Sequence, residues 1–147
     1  MQVKLPAVLA QVALVLQPAA PVTPVDATTK ARGDAAETRA LNHLRRQGLL
    51  LVARNYRVAG GPHARGAEVD LIMRDRDGTL VFVEVRQRAD TDHGGAAASI
   101  TRGKQRKCIL GAKFYLQTLS VWPPCRFDVV AIDGDELEWL QGAFEAS

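Results

Sequence analysis

The stretch from Glu68 to Arg88 constrains the fold more than any other part of this chain. Glu68–Arg74 and Thr79–Arg88 are rich in β-formers with polar residues at alternate positions, and they flank Asp75-Arg76-Asp77-Gly78, a strong hairpin signal. A three-residue connection, Arg76-Asp77-Gly78 with Gly78 left-handed, pairs Asp75 with Thr79. That register puts Asp70 directly opposite Glu84, on one face, with Cβ atoms ~5 Å apart. Alternation adds Glu68 to Asp70's face and Arg86 to Glu84's face. Val69, Leu71, Val81, Val83 and Val85 then form the opposite, aliphatic face.

Two carboxylates directly across a ladder are destabilising unless positive charge lies between them. Arg86 supplies it in one reading, as an ordinary ion pair. A divalent cation supplies it in the other, because Mg²⁺ is commonly held by one or two carboxylates and completes its octahedron with waters and substrate phosphates. Asp70, Glu84 and the Val85 carbonyl are the candidate oxygens.

The rest of the body follows the same kind of punctuation. A helix is expected from Thr29 or Asp34 to Gln47, closed by Gly48, with Ala36, Ala40, Leu41 and Leu44 as its apolar stripe. Glu37 falls on that stripe, where a carboxylate either snorkels to water, pairs with an arginine or serves a site. Leu49–Arg57 reads as a strand and Gly60–Ala67 as a loop. A second helix runs from Thr101 as N-cap to about Leu119, burying Cys108, Gly111, Ala112, Tyr115, Leu116 and Leu119. Pro123-Pro124 bars its continuation. Arg126–Ile132 and Leu137–Leu140 are the last strands. The order α-β-β-β-α-β-β makes one mixed sheet flanked by helices, an α/β (α+β) sandwich.

With 147 residues the chain has material for one ordinary domain. Residues 1–28 are expected to be a flexible, Pro/Ala-rich extension ahead of a domain over 29–147. Leu5–Leu16 is too short an apolar run to span a membrane, and prolines 6, 18, 21 and 24 favour an extended tract over 17–28. A cleaved secretory signal is the minority reading of that segment. Cys108 and Cys125 lack zinc spacing; a lone structural disulfide is one reading, and two reduced thiols of a cytoplasmic protein are the preferred one. His43, His63 and His93 show no ligand spacing.

Charge is segregated along the chain. Residues 30–126 carry 18 Lys and Arg against 9 Asp and Glu, whereas Phe127–Ser147 carries six acids and no Lys or Arg. A basic body suits an anionic partner, nucleic acid being the commonest, or is a plain solvated surface. Arg88, Arg102, Lys104, Arg106 and Lys107 are the candidate phosphate contacts, without evident base readout or stacking aromatics.

The run Gly66-Ala67-Glu68-Val69-Asp70-Leu71-Ile72 followed by Val81-Phe82-Val83-Glu84-Val85-Arg86-Gln87-Arg88 resembles the paired motifs of the restriction-endonuclease-like superfamily. There an acid on one strand is followed by Glu-x-Lys on the next. With Gly33 and Glu37, Asn55, Gly94-Gly95-Ala96-Ala97-Ala98-Ser99, Lys104 and Arg126-Phe127-Asp128-Val129-Val130, residues 30–145 resemble the bacterial YraN family (UPF0102), assigned to that fold. The resemblance implies an α-β-β-β-α-β nuclease-like core, with Glu37, Asp70 and Glu84 as metal ligands for Mg²⁺ or Mn²⁺. It also implies Asp70, Glu84, Arg86 and Glu37 as catalytic residues of an endonuclease or phosphodiesterase acting on DNA or RNA. Two departures stand out: Ala67 replaces a family glycine, and Arg86 replaces the superfamily lysine. An arginine stabilises phosphate charge but does not act as a base. Lys104 is the candidate replacement, or else a solvated first-turn lysine. The departure at Arg86 favours a rival reading, a non-catalytic nucleic-acid-binding or scaffold module.

Overall fold

In the computed structural model the described residues are 24–62, 66–87 and 100–146, with side chains described from residue 30. The chain divides into two compact units, Met1–Ala31 and Arg32–Ser147. The whole sheet, the second helix and the candidate site lie in the second unit.

The elements appear in the expected order: α1 (Pro24–Arg46), β1 (Leu50–Val58), β2 (Ala67–Arg74), β3 (Leu80–Gln87), α2 (Arg102–Leu116), β4 (Cys125–Asp133) and β5 (Glu136–Phe144). They form a mixed five-stranded sheet ordered β1-β2-β3-β4-β5. All neighbouring strands are antiparallel except β3 and β4, which run parallel and are joined through α2. This is the mixed α/β core that the sequence implies.

Helix α1 starts earlier than expected. Residues 24–28 are helical instead of extended, with Pro24 first. A proline is tolerated there because its fixed φ suits a helix and the first N–H has no intrahelical partner. The helix closes as foreseen: Gly48 has φ +99°, its N–H reaches the Arg45 carbonyl at 3.0 Å, and the Leu49 N–H reaches the Leu44 carbonyl at 3.0 Å. That double closure is a Schellman cap.

Helix α2 starts at its expected cap, with the Lys104 N–H donating to Thr101 Oγ1 at 3.2 Å. It stops at Leu116, three residues short of the expected end. The Thr118 hydroxyl donates to the Tyr115 carbonyl at 2.6 Å, a local bond that competes with continued helix.

The helices cover opposite faces. Ala36, Ala40, Leu41 and Leu44 of α1 pack on Leu71, Met73, Val81, Val83, Val130 and Ile132. Cys108, Ala112 and Leu116 of α2 pack on Val69, Ile72, Leu80, Phe82 and Phe127. Val69 is thus on the α2 side, not with Leu71, Val81 and Val83 as strict alternation requires. Opposite this change of side, β1, already irregular between Leu51 and Ala53, has a positive φ of 53° at Asn55, between the pairs Arg54↔Leu71 and Tyr56↔Val69. Asparagine tolerates that conformation better than most residues.

The far edge is held by a buried carboxylate. Asp128 is fully buried and accepts from Arg126 Nε, Trp139 Nε1 (2.9 Å) and the Gly142 N–H (3.0 Å). These bonds carry β5 on to Phe144, four residues past its expected end at Leu140. His43 lies edge-on to Trp139, while His63 and His93 fall outside the described residues.

Glycine 111 sets how closely α2 approaches the sheet: a Cβ there would come 2.7 Å from Val69 Cγ2. Gly111→Ala should therefore cost about 1–2 kcal/mol despite its better helix propensity. Gly103→Ala, whose nearest neighbour is Thr101 Oγ1 at 3.8 Å, should be neutral or slightly stabilising. Urea unfolding of both variants checks this, and equal midpoints would contradict the close packing.

Candidate functional site

The hairpin register builds the site. The loop closes with the Asp75 N–H on the Thr79 carbonyl at 2.9 Å, and Gly78 has φ +89°. The β2–β3 ladder then runs from Arg74↔Leu80 to Leu71↔Val83, the register expected from the turn. Asp70 and Glu84 are the next residues, just where the ladder stops. Beyond the end of the β2 ladder, the Val85 N–H donates to Asp70 Oδ2 at 2.8 Å. The described contact of Val85 with the pair is thus its N–H, not the carbonyl.

Asp70 and Glu84 are 9% and 8% exposed and lie on an open concavity of about 340 Å³. Glu37, Glu68 and Arg86 share its lining, as do Lys104 and Lys107 from the first turns of α2. All four acids and Arg86, drawn from α1, β2 and β3, therefore converge on one opening. Arg102 and Arg106 are also exposed on the start of α2 but do not line it. Arg88 and the segment Gly94–Ser99 fall outside the described residues.

Glu37 occupies an intermediate position. Arg54 Nε lies 3.4 Å from Glu37 Oε1, and Arg54 Nη2 donates to the Asp34 carbonyl (2.8 Å) and Thr38 Oγ1 (3.0 Å). The arginine pairing foreseen as the ordinary alternative is therefore present, although Glu37 still faces the concavity. Among the described residues no three His, Cys, Asp or Glu side chains are grouped so as to hold a metal ion together. The structure assembles Asp70 and Glu84 as a pair and leaves Glu37 on Arg54. Arg54 carries no motif and reads in sequence as one more residue of a strand. A cation on β1 opposite an acid on α1 becomes visible only once the helix is docked. Glu68 pairs across strands with Arg57 at 3.3 Å, both partly exposed.

Burial pushes Glu84 up to about 8, with the negative charge of Asp70 adding to the effect and Lys104 opposing it. Asp70 is also raised, by burial first, against the Val85 N–H bond. Glu37 is raised by burial and then by Asp70, with Arg54 opposing. Below about pH 8 the Glu84 carboxyl therefore holds its proton beside Asp70. Cys108 lies close enough to feel both acids, and burial together with their charges pushes its thiol up.

Glu84 binds its proton more tightly in the folded chain than at its ordinary value of 4.5. Stability should therefore fall as pH rises from 4.5 to 8 and level off above. Glu84→Gln should be more stable than wild type at pH 8.5 by about 1–3 kcal/mol, with the gap shrinking toward pH 5. Denaturant unfolding at several pH values measures this; a gap independent of pH would contradict it.

Residues 36–132 match the family model described as uncharacterised protein family UPF0102. The UPF0102 protein of Methylibium petroleiphilum is 61% identical over 120 residues, covering 82% of this chain and 98% of that protein. The Cupriavidus taiwanensis UPF0102 protein is 63% identical over 117 residues, covering 80% and 85%. The one from Albidiferax ferrireducens is 58% identical over 119 residues, covering 81% and 91%. The chain belongs to the UPF0102 family, the YraN family its motifs resemble.

Proposed function

We propose that this protein binds nucleic acid and hydrolyses phosphodiester bonds with a divalent cation held by Asp70 and Glu84. The observation that carries the reading is the placement of two largely buried carboxylates side by side in an open concavity whose rim is cationic. A stranded pair of this kind costs stability unless it has a counter-charge. Two hard oxygen ligands with room for water suit Mg²⁺ or Mn²⁺ better than zinc, which favours sulfur and nitrogen donors in closed tetrahedra. The donor set thus fits the ion.

When bound, such an ion neutralises charge on a phosphoryl oxygen and makes a coordinated water more acidic. The chain's own residues do the rest. Val85 N–H holds the Asp70 carboxylate in place. Lys104, whose charge acts on both acids, is positioned to meet a phosphate oxygen and to take the part the superfamily gives to a lysine. Arg86 lines the same opening and serves as an electrostatic clamp on the phosphate rather than a base. Arg102, Arg106 and Lys107 extend the phosphate contacts along α2, and Arg88 follows β3. Glu37 completes the ligand set if it leaves Arg54. Among the described residues no helix is long and apolar enough to cross a membrane, and we place this activity in the cytoplasm.

One observation favours a second reading, a binding module without cleavage: the acids come together as a pair, with Glu37 engaged by Arg54 and arginine in place of the superfamily lysine. Labelled DNA and RNA, including branched forms, incubated with Mg²⁺ or Mn²⁺ separate the two. Metal-dependent cutting by wild type, reduced about 100-fold or more by Asp70→Ala and by Lys104→Ala, is the expected result. Salt-sensitive binding with no cutting by wild type supports the module instead.

A further inference from the structure

A second concavity, about 450 Å³, opens beside the carboxylate site and shares Glu68 and Lys107 with it. Its remaining walls are Arg57, Val58, Ala59, Gly66 and Ala67, where β1 ends and β2 begins. Gly66 is bare backbone for a steric reason: a Cβ there would come 2.9 Å from the Val58 carbonyl oxygen. Among the described residues, the side chains that frame the concavity are small and apolar except at the rim. There the Arg57 side chain is 68% exposed, and Lys107 is exposed on α2. Arg57 has one described partner, Glu68 at 3.3 Å, and a solvated pair of this kind is easily exchanged for another anion.

The geometry points to a nucleotide subsite: we propose that this concavity holds one unpaired nucleotide next to the phosphodiester at Asp70 and Glu84. This rests on the function proposed above and deepens it. The apolar floor takes the sugar or base, and Arg57 and Lys107 take the flanking phosphates. Lys107 stands on the shared wall with Glu68, whose charge Arg57 offsets, so one strand passes from the first concavity to the second beside Lys107. Lys104 and Lys107 are neighbours three residues apart on the helix surface, which makes the cationic rim continuous. A base inside a duplex is stacked and paired and cannot enter such a hollow without being flipped out. The subsite therefore selects single-stranded or unpaired segments. DNA and RNA share the chemistry it reads.

The test is fluorescence anisotropy of the full chain with labelled single-stranded DNA and RNA oligonucleotides and with a duplex of equal length, in EDTA so that no cleavage intrudes. Arg57→Gln, Lys107→Gln and Ala59→Glu are all at exposed positions, and thermal melts confirm that each is folded. Lys113→Gln, in the last turn of α2, is the control for loss of a single positive charge away from the concavity. Arg57→Gln with Lys107→Gln should weaken single-strand binding about tenfold or more and lower the salt slope by about 1.4, two contacts at ~0.7 each. Ala59→Glu should also weaken it, and Lys113→Gln should leave it unchanged. Wild type and variants that bind alike, or no binding by wild type, overturn the subsite. A duplex that loses as much affinity as the single strand overturns the assignment to an unpaired nucleotide. No binding by wild type also removes the nucleic-acid contact on which the proposed function rests, whereas loss of the subsite alone leaves metal-dependent cutting by the carboxylate pair to the Asp70→Ala comparison.

Discussion

The mutual repulsion of Asp70 and Glu84 is the interaction around which the site is arranged. A three-residue turn ending in a left-handed glycine fixes which residues of the hairpin face each other, and the first two beyond the ladder are both acids. Aliphatic side chains at Leu71, Met73, Val81 and Val83 make any slip of that register costly, because a shift by one residue would turn them to the wrong face. The fold thus holds two like charges together with the stability of its core. It lowers the cost with a backbone N–H on Asp70, a proton held by Glu84 and the field of Lys104.

Each neighbouring element adds one ingredient. Helix α1 brings Glu37 to the opening, where Arg54 of β1 holds it. Helix α2 begins at the same end of the sheet, and Thr101 starts it so that Lys104 and Lys107 fall on the rim. At the opposite end, Arg126 joins Asp75 of the hairpin turn at 2.8 Å to the buried Asp128, tying the turn to β4. The acidic end of the chain lies on β4 and β5, with β5 at the sheet edge beyond the strands that carry the site. The turn between these two strands lies against α1, where Arg39 Nη1 donates to the Gly134 carbonyl.

Much of this was legible beforehand, for identifiable reasons. The hairpin register and the caps at Gly48 and Thr101 follow from short-range rules of turn chemistry, and that register brings Asp70 beside Glu84. Val69 and the end of β5 departed from expectation: Val69 changes side opposite the irregular Asn55 of β1, and Asp128 holds the Gly142 N–H beyond the expected end of β5. Glu37 took one of its expected readings, the pairing with an arginine, but which arginine depends on a residue 17 positions away. Trp122 is 60% exposed beside the start of β4, at the hairpin end of the sheet. The concavity beside Gly66 depends on how two strand ends meet and leaves no pattern in sequence.

The central claim is that Asp70 and Glu84 form a cation site. Electron paramagnetic resonance of Mn²⁺ titrated into the protein at pH 8 tests it most directly. The account predicts saturable loss of the free Mn²⁺ signal, competition by Mg²⁺, and a strong loss of affinity in both Asp70→Asn and Glu84→Gln, with each variant shown to be folded. Mn²⁺ binding of equal strength in wild type and both variants, or none in wild type, would contradict it.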